Sequence, residues 1–171
     1  APTVGGKSAN LGELTRAGFP VPSAFAVTAD AYIDAMQAAG LRAGLAAEAV
    51  PAPDIDEATL IRTSAELAES VTTASVPDEM RADIVAAYEA LGARVAVAVR
   101  SSAPAEDAAD TSFAGIHESY TNIVGAEEVV RAVQACWASL WSERARTYRF
   151  LRGISEEPSI AVVVQVMVRS E

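Results

Sequence analysis

An unbroken run of small and β-branched residues, Val95-Ala96-Val97-Ala98-Val99, leads directly into Arg100-Ser101-Ser102. Five such residues in succession read as a strand buried on both faces, so the chain must fold around a sheet with a covered centre. An acidic loop, Ala105-Glu106-Asp107-Ala108-Ala109-Asp110, follows and closes on Ser112-Phe113-Ala114-Gly115. The chemistry of this stretch suits an anion. Arginine offers a planar fork of donors to phosphate, and serine hydroxyls with backbone N–H groups near glycine can complete the cradle. Taken alone, an arginine at a strand end is more often solvated or paired with a carboxylate, and Glu106 and Asp107 stand close by.

The beginning of the chain adds a second cation. Val4-Gly5-Gly6-Lys7-Ser8-Ala9-Asn10-Leu11-Gly12-Glu13-Leu14 reads as a glycine turn feeding a short helix with Leu11 and Leu14 on one face. Gly18 stops that helix, and Pro20 and Pro22 prevent its resumption. Lys7 is the only lysine among 13 basic residues, and it stands at a helix start where backbone N–H groups are free. The segment is not a P-loop: Gly6-Lys7-Ser8 supplies the end of that motif, but its first position is Ala1 rather than glycine.

The remaining pattern is a sequence of helices and short strands. Phe25-Ala26-Val27-Thr28 reads as a strand, with Thr28 capping a helix over about residues 29–39 that Gly40 ends. Residues 41–55 carry Pro51 and Pro53 and read as a short helix and a linker. Leu60, Ser64, Leu67 and Val71 mark one helical face; Met80, Ile84, Tyr88 and Leu91 mark another, opened by Pro77 and two acids. Glu118-Ser119-Tyr120-Thr121-Asn122-Ile123-Val124 is a strand ended by Gly125. Val129, Val133, Trp137 and Leu140 form a helical stripe, and a second helix carries Arg144, Tyr148 and Leu151, its arginines read as an exposed face. The aromatic residues here suit core and lobe contacts better than a base-stacking platform. The last run, Ile160-Ala161-Val162-Val163-Val164-Gln165-Val166-Met167-Val168, is a second buried strand. Its one polar side chain, Gln165, needs partners, either a heterocycle or a neighbouring backbone edge.

Charge and residue counts exclude several function classes. Thirteen basic against 23 acidic side chains give a net charge of −10, which argues against a general nucleic-acid binder. His117 is the only histidine and has no partner at ligand spacing, so no metal site and no histidine-based triad can be assembled from it. Cys136 is the only cysteine; it excludes an intrachain disulfide and, beside Trp137, reads as core packing. No run has the length of a membrane span, and there is no signal-peptide layout, so a cytoplasmic protein is expected.

Taken together, Gly5-Gly6-Lys7-Ser8-Ala9-Asn10-Leu11-Gly12-Glu13, Val21-Pro22 with Phe25-Ala26-Val27-Thr28, Val99-Arg100-Ser101-Ser102-Ala103, Ala105-Glu106-Asp107, Ser112-Phe113-Ala114-Gly115 and Val163-Val164-Gln165-Val166-Met167-Val168 resemble the N-terminal ATP-binding domain of the phosphoenolpyruvate synthase, pyruvate phosphate dikinase and rifampicin phosphotransferase family. The resemblance runs from about Val4 to Ser170. It implies an α+β fold: the N-terminal lobe of an ATP-grasp nucleotide-binding domain, with a mixed sheet and packed helices. Residues 1–171 would then be the N-terminal part of a dikinase-type ATP-binding domain, with the second ATP-grasp lobe, a histidine domain and an acceptor domain absent from this sequence.

By the same resemblance, Lys7 and Arg100 contact the ATP phosphates, Gly115 offers a backbone N–H, Ser119 places a hydroxyl near them, and the strand around Gln165 lines the adenine. Residues 103–112 would act as a lid that excludes water. The family passes the β-phosphoryl of ATP to a histidine on a separate domain and then to pyruvate or rifampicin. No catalytic residue and no metal ligand is therefore expected in this chain, and the carboxylates for Mg2+ are expected beyond Glu171. Pro104, Ala108-Ala109 and Ile116 depart from the usual family pattern in the lid. Cys136-Trp137-Ala138-Ser139-Leu140-Trp141 with Glu143-Arg144-Ala145 is somewhat closer to the rifampicin branch. Two other readings stand beside this one: a non-catalytic nucleotide-binding module, and an alanine-rich interaction domain whose glycine and arginine motifs are structural.

Overall fold

The computed structural model describes residues 3–102 and 118–168. In chain order the elements are α1 (Gly5–Arg16), β1 (Ala24–Val27), α2 (Ala29–Ala38), α3 (Arg42–Ala47), α4 (Glu57–Thr73), α5 (Asp78–Leu91), β2 (Val97–Ser102), β3 (Ser119–Ile123), α6 (Ala126–Ala138), α7 (Glu143–Arg152) and β4 (Ala161–Val166), with a 3-10 turn at Ser139–Trp141 between the last two helices. The strands form one sheet in the order β1-β4-β2-β3. The α+β layering is as the sequence leads one to expect, but the sheet is not the mixed one that the resemblance implies: the pairings among these described strands are all antiparallel.

Local chemistry sets the boundaries. Thr28 caps α2, its Oγ1 accepting the N–H of Ala31 at 3.2 Å, and Asp56 caps α4 by accepting from Thr59. Helix α2 ends at Gly40, whose φ of +71° lets Leu41 N–H turn back to Met36 O at 2.9 Å. One boundary differs from the expectation. The strand was expected to end before Arg100, yet β2 starts at Val97 and continues through Arg100 to Ser102, because each of its residues has a partner on β4, down to Ser102 opposite Ala161.

Alternation along β2 divides the sheet. Val97, Val99 and Ser101 point one way, with Val162 and Val164 of β4 directly opposite, since paired residues share a face. Helices cover that side. Val129, Val133, Cys136 and Trp137 of α6, Ile84 and Tyr88 of α5, and Tyr32 and Met36 of α2 form a single core with the strand valines, all almost wholly buried. The Cys136 thiol lies 4.0 Å from Val99 O, and burial pushes its pKa up to about 12. Both tryptophans belong to this core: Trp137 meets the Tyr32 ring edge-on at 6.0 Å, and Trp141 donates its indole N–H to the Tyr32 hydroxyl at 3.0 Å.

Helix α7 corrects the expected pattern. Its inward face is Ala145, Arg146 and Arg149, whereas Leu151 is exposed. The arginines are not the solvent face. Arg146 is 0 % exposed, and its fork reaches Thr63 Oγ1 at 2.8 Å, Ser64 Oγ at 3.0 Å, Glu48 Oε2 at 3.1 Å and Glu48 O at 3.3 Å. Arg149 donates to Ala49 O and Leu140 O, both at 2.8 Å, and stacks over Trp141. Oxygens of the segment after α3, of α4 and of Leu140 accept from all of these donor atoms but Arg149 Nη2, so a guanidinium can sit where an apolar side chain would be expected. Burial holds both guanidinium groups below the usual arginine range, Arg149 at about 10.

Candidate functional site

The opposite side of the sheet carries Ala98, Arg100 and Ser102 of β2. Pairing places Gln165 beside Ala98, Val163 and Ser119 beside Arg100, and Ala161 beside Ser102. Helix α1 roofs the Ser102 end of this face. Beyond α1 the face is open, and there a hollow of about 420 Å³ is lined by Arg100, Ser119, Thr121, Gln165, Ala98, Pro22 and residues 166–168. Its chemistry is mixed: one guanidinium, two hydroxyls and one amide stand beside apolar Ala98, Met167 and Val168. A flat apolar group with a charged tail fits such a surface.

A bulge in β3 shapes the rim. Val99 pairs with Tyr120 but Val97 pairs with Ile123, so β3 carries one extra residue, and Asn122 takes φ +60° to absorb it. Ser119 and Thr121 therefore face the hollow while Ile123 returns to the core side beside Val97. Gln165 is oriented by its own backbone contact, its Nε2 donating to Pro22 O at 3.5 Å. That bond is the backbone-edge alternative considered for this residue, and the side chain still lines the hollow.

Lys7 approaches from α1. Its ammonium donates to Ser101 O at 2.9 Å, on the residue that follows Arg100. The backbone of α1 meets the same strand end: Ser8 N–H points to Ser102 Oγ at 3.4 Å, and Gly5 packs directly on the Ser102 carbonyl. Of the residues singled out from the sequence, Arg100, Ser119 and Gln165 thus share one hollow. Lys7 reaches the adjoining backbone and is not among the lining residues. Gly115, His117 and the expected lid lie outside the described residues. Thr121 was missed, though its two-residue spacing to Ser119 could have found it; Ser102 was read as a hydroxyl of the anion cradle, and nothing local marks it as the seat of α1.

The implied magnesium finds no ligand set here. The side chains lining the hollow include no carboxylate, and among the described residues no group of three His, Cys, Asp or Glu side chains could hold a metal ion. Among the described residues no helix is long and apolar enough to cross a membrane.

Comparison with known proteins points to one family. Residues 1–171 match the family described as "Pyruvate phosphate dikinase, AMP/ATP-binding domain". The chain is 47% identical to a rifampicin phosphotransferase of Streptomyces sviceus, over 96% of this chain and 19% of that protein. It is 44% identical to a probable phosphoenolpyruvate synthase of Methanothermobacter thermautotrophicus, over 98% of this chain and 25% of the relative. It is also 36% identical to the phosphoenolpyruvate synthase of Pyrococcus furiosus, over 99% and 26% respectively. The chain spans about a fifth to a quarter of the length of these relatives.

Proposed function

Because the chain belongs to the family of pyruvate phosphate dikinase AMP/ATP-binding domains, we propose that the open sheet face grips ATP on behalf of a phosphotransferase of which this is one part. The observation that carries the reading is the register that sets Arg100, Ser119 and Gln165 around one hollow, with the Lys7 ammonium bonded one residue along the strand. Phosphoryl transfer asks a protein mainly for charge neutralisation and positioning. The Arg100 fork supplies two parallel donors to a phosphate. Lys7 supplies a compact positive charge at the same strand end, and Ser119 a hydroxyl. The adenine lies against the strand at residues 165–167, and Gly115 contributes a backbone N–H.

Within this proposal the β-phosphoryl of ATP passes to a histidine on another domain and from there to pyruvate or rifampicin, the acceptors that the names of the relatives suggest. ATP enters with Mg2+, whose carboxylate ligands are placed beyond Glu171, and no step is assigned to the metal here. The single cysteine fits the reducing setting of the cytoplasm. Calorimetry with ATP, on the protein containing the lobe that follows, tests the grip. Arg100→Ala and Lys7→Ala should each weaken binding by about tenfold or more, the loss typical of one charge-assisted contact. ATP affinity unchanged in both variants would remove the nucleotide assignment and favour a structural interaction domain.

A further inference from the structure

Three consecutive contacts tie the start of α1 to the end of β2. Gly5 is buried with φ +72°, and a Cβ built on it would stand 2.1 Å from Ser102 O and 2.4 Å from Ser102 Oγ. Lys7 Nζ donates to Ser101 O, and Ser8 N–H faces Ser102 Oγ. The strand side of this joint is braced. Ser101 N–H and Oγ both point to Glu118 O at 3.2 Å, and Ser102 pairs with Ala161, the last pair of the β2–β4 ladder. On the helix side, Ala29 N–H donates to Thr3 O at 3.0 Å, just ahead of α1. A side chain at position 5 would therefore displace the helix rather than the strand. Restoring an ordinary 3.4 Å contact from 2.1 Å moves α1 back by 1.3 Å, and Lys7 travels with it.

We infer that Gly5 and Ser102 are a positioning pair: their close packing sets the height of the Lys7 ammonium above the strand that carries Arg100, so that both cations address one polyphosphate. The inference rests on the proposed nucleotide reading. Neither residue needs to touch the ligand. Their effect is exerted through Lys7, and displacements of about 1 Å at such sites cost up to about a hundredfold.

A double-mutant cycle in the full-length protein, with Mg-ATP as the titrant in calorimetry, isolates this effect. Gly5→Ala should weaken ATP binding about tenfold or more when Lys7 is present, and less than about twofold in the Lys7→Ala background, because the cation it misplaces is already gone. Equal losses in the two backgrounds, or no loss in either, overturn the positioning role. If Gly5→Ala does not fold, Ser102→Ala replaces it: the backbone contact stays, the acceptor for Ser8 N–H goes, and about a threefold loss confined to the Lys7-containing protein is expected. Lys7→Ala with wild-type ATP affinity would instead sink the nucleotide reading itself, a result distinct from additivity in the cycle.

Discussion

Replacing Arg146 by alanine tests whether a buried guanidinium is a structural member of this fold. The side chain is 0 % exposed, and its four donor contacts join α7 to Thr63 and Ser64 of α4 and to Glu48 after α3. Hydrogen bonds from a charged donor contribute about 1.5–3 kcal/mol each, but burying the guanidinium costs several kcal/mol in return. Truncation also leaves a void and strips Ser64, itself only 2 % exposed, of this donor. The net loss is about 3–5 kcal/mol. For a chain of this size each kcal/mol lowers the unfolding midpoint by about 2–4 °C, so calorimetry should record a fall of about 6–20 °C. Arg146→Lys should recover little, since one ammonium cannot span the three acceptor groups. The surface pair of Arg131 and Glu128 serves as the control, and Arg131→Ala should stay within about 0.5 kcal/mol of wild type. A midpoint shift under about 2 °C for Arg146→Ala, or full rescue by lysine, would refute the reasoning.

Two further outcomes concern the core. Tyr32→Phe leaves the buried indole N–H of Trp141 without its acceptor and should cost about 1–3 kcal/mol in urea unfolding; the same change made on Trp141→Phe should cost clearly less. Cys136 gives a pH signature. Its thiol is held at about 12 in the fold against 9.0 in the exposed state, so the folded chain keeps the proton more tightly. The stability this confers is complete below pH 9 and is lost as pH climbs toward 12. Denaturant midpoints measured from pH 8 to 11 should therefore fall more steeply for wild type than for Cys136→Ala, and parallel profiles would contradict the burial effect.

Local chemistry made much of the fold legible. The Thr28 cap, the Gly40 stop, the valine runs and the α4 to α6 stripes each obey rules that operate within a few residues of one another. Helix α7 defeated the same rules. Its inward arginines depend on acceptors at Glu48, Ala49, Thr63 and Ser64, about 80 to 100 positions away, and periodicity assigns charge to the outside when such acceptors are unseen. The candidate site divides in the same way. Arg100, Ser119 and Gln165 stood out by chemical type on predicted strands, but their convergence depends on an antiparallel register and a bulge at Asn122 that no local pattern announces. The seat of Lys7 on Ser101 O joins positions 94 apart and became visible only in three dimensions.

The last of the described strands in chain order lies at the heart of the sheet. β4 separates β1 from β2 and supplies hydrogen bonds to both, so until residues 161–166 have been made β1 lacks its partner strand and β2 has only β3. Assembly is thereby postponed, and until then β1 and one margin of β2 stay without the strand that fills the gap between them. Such late closure favours slow, non-local folding.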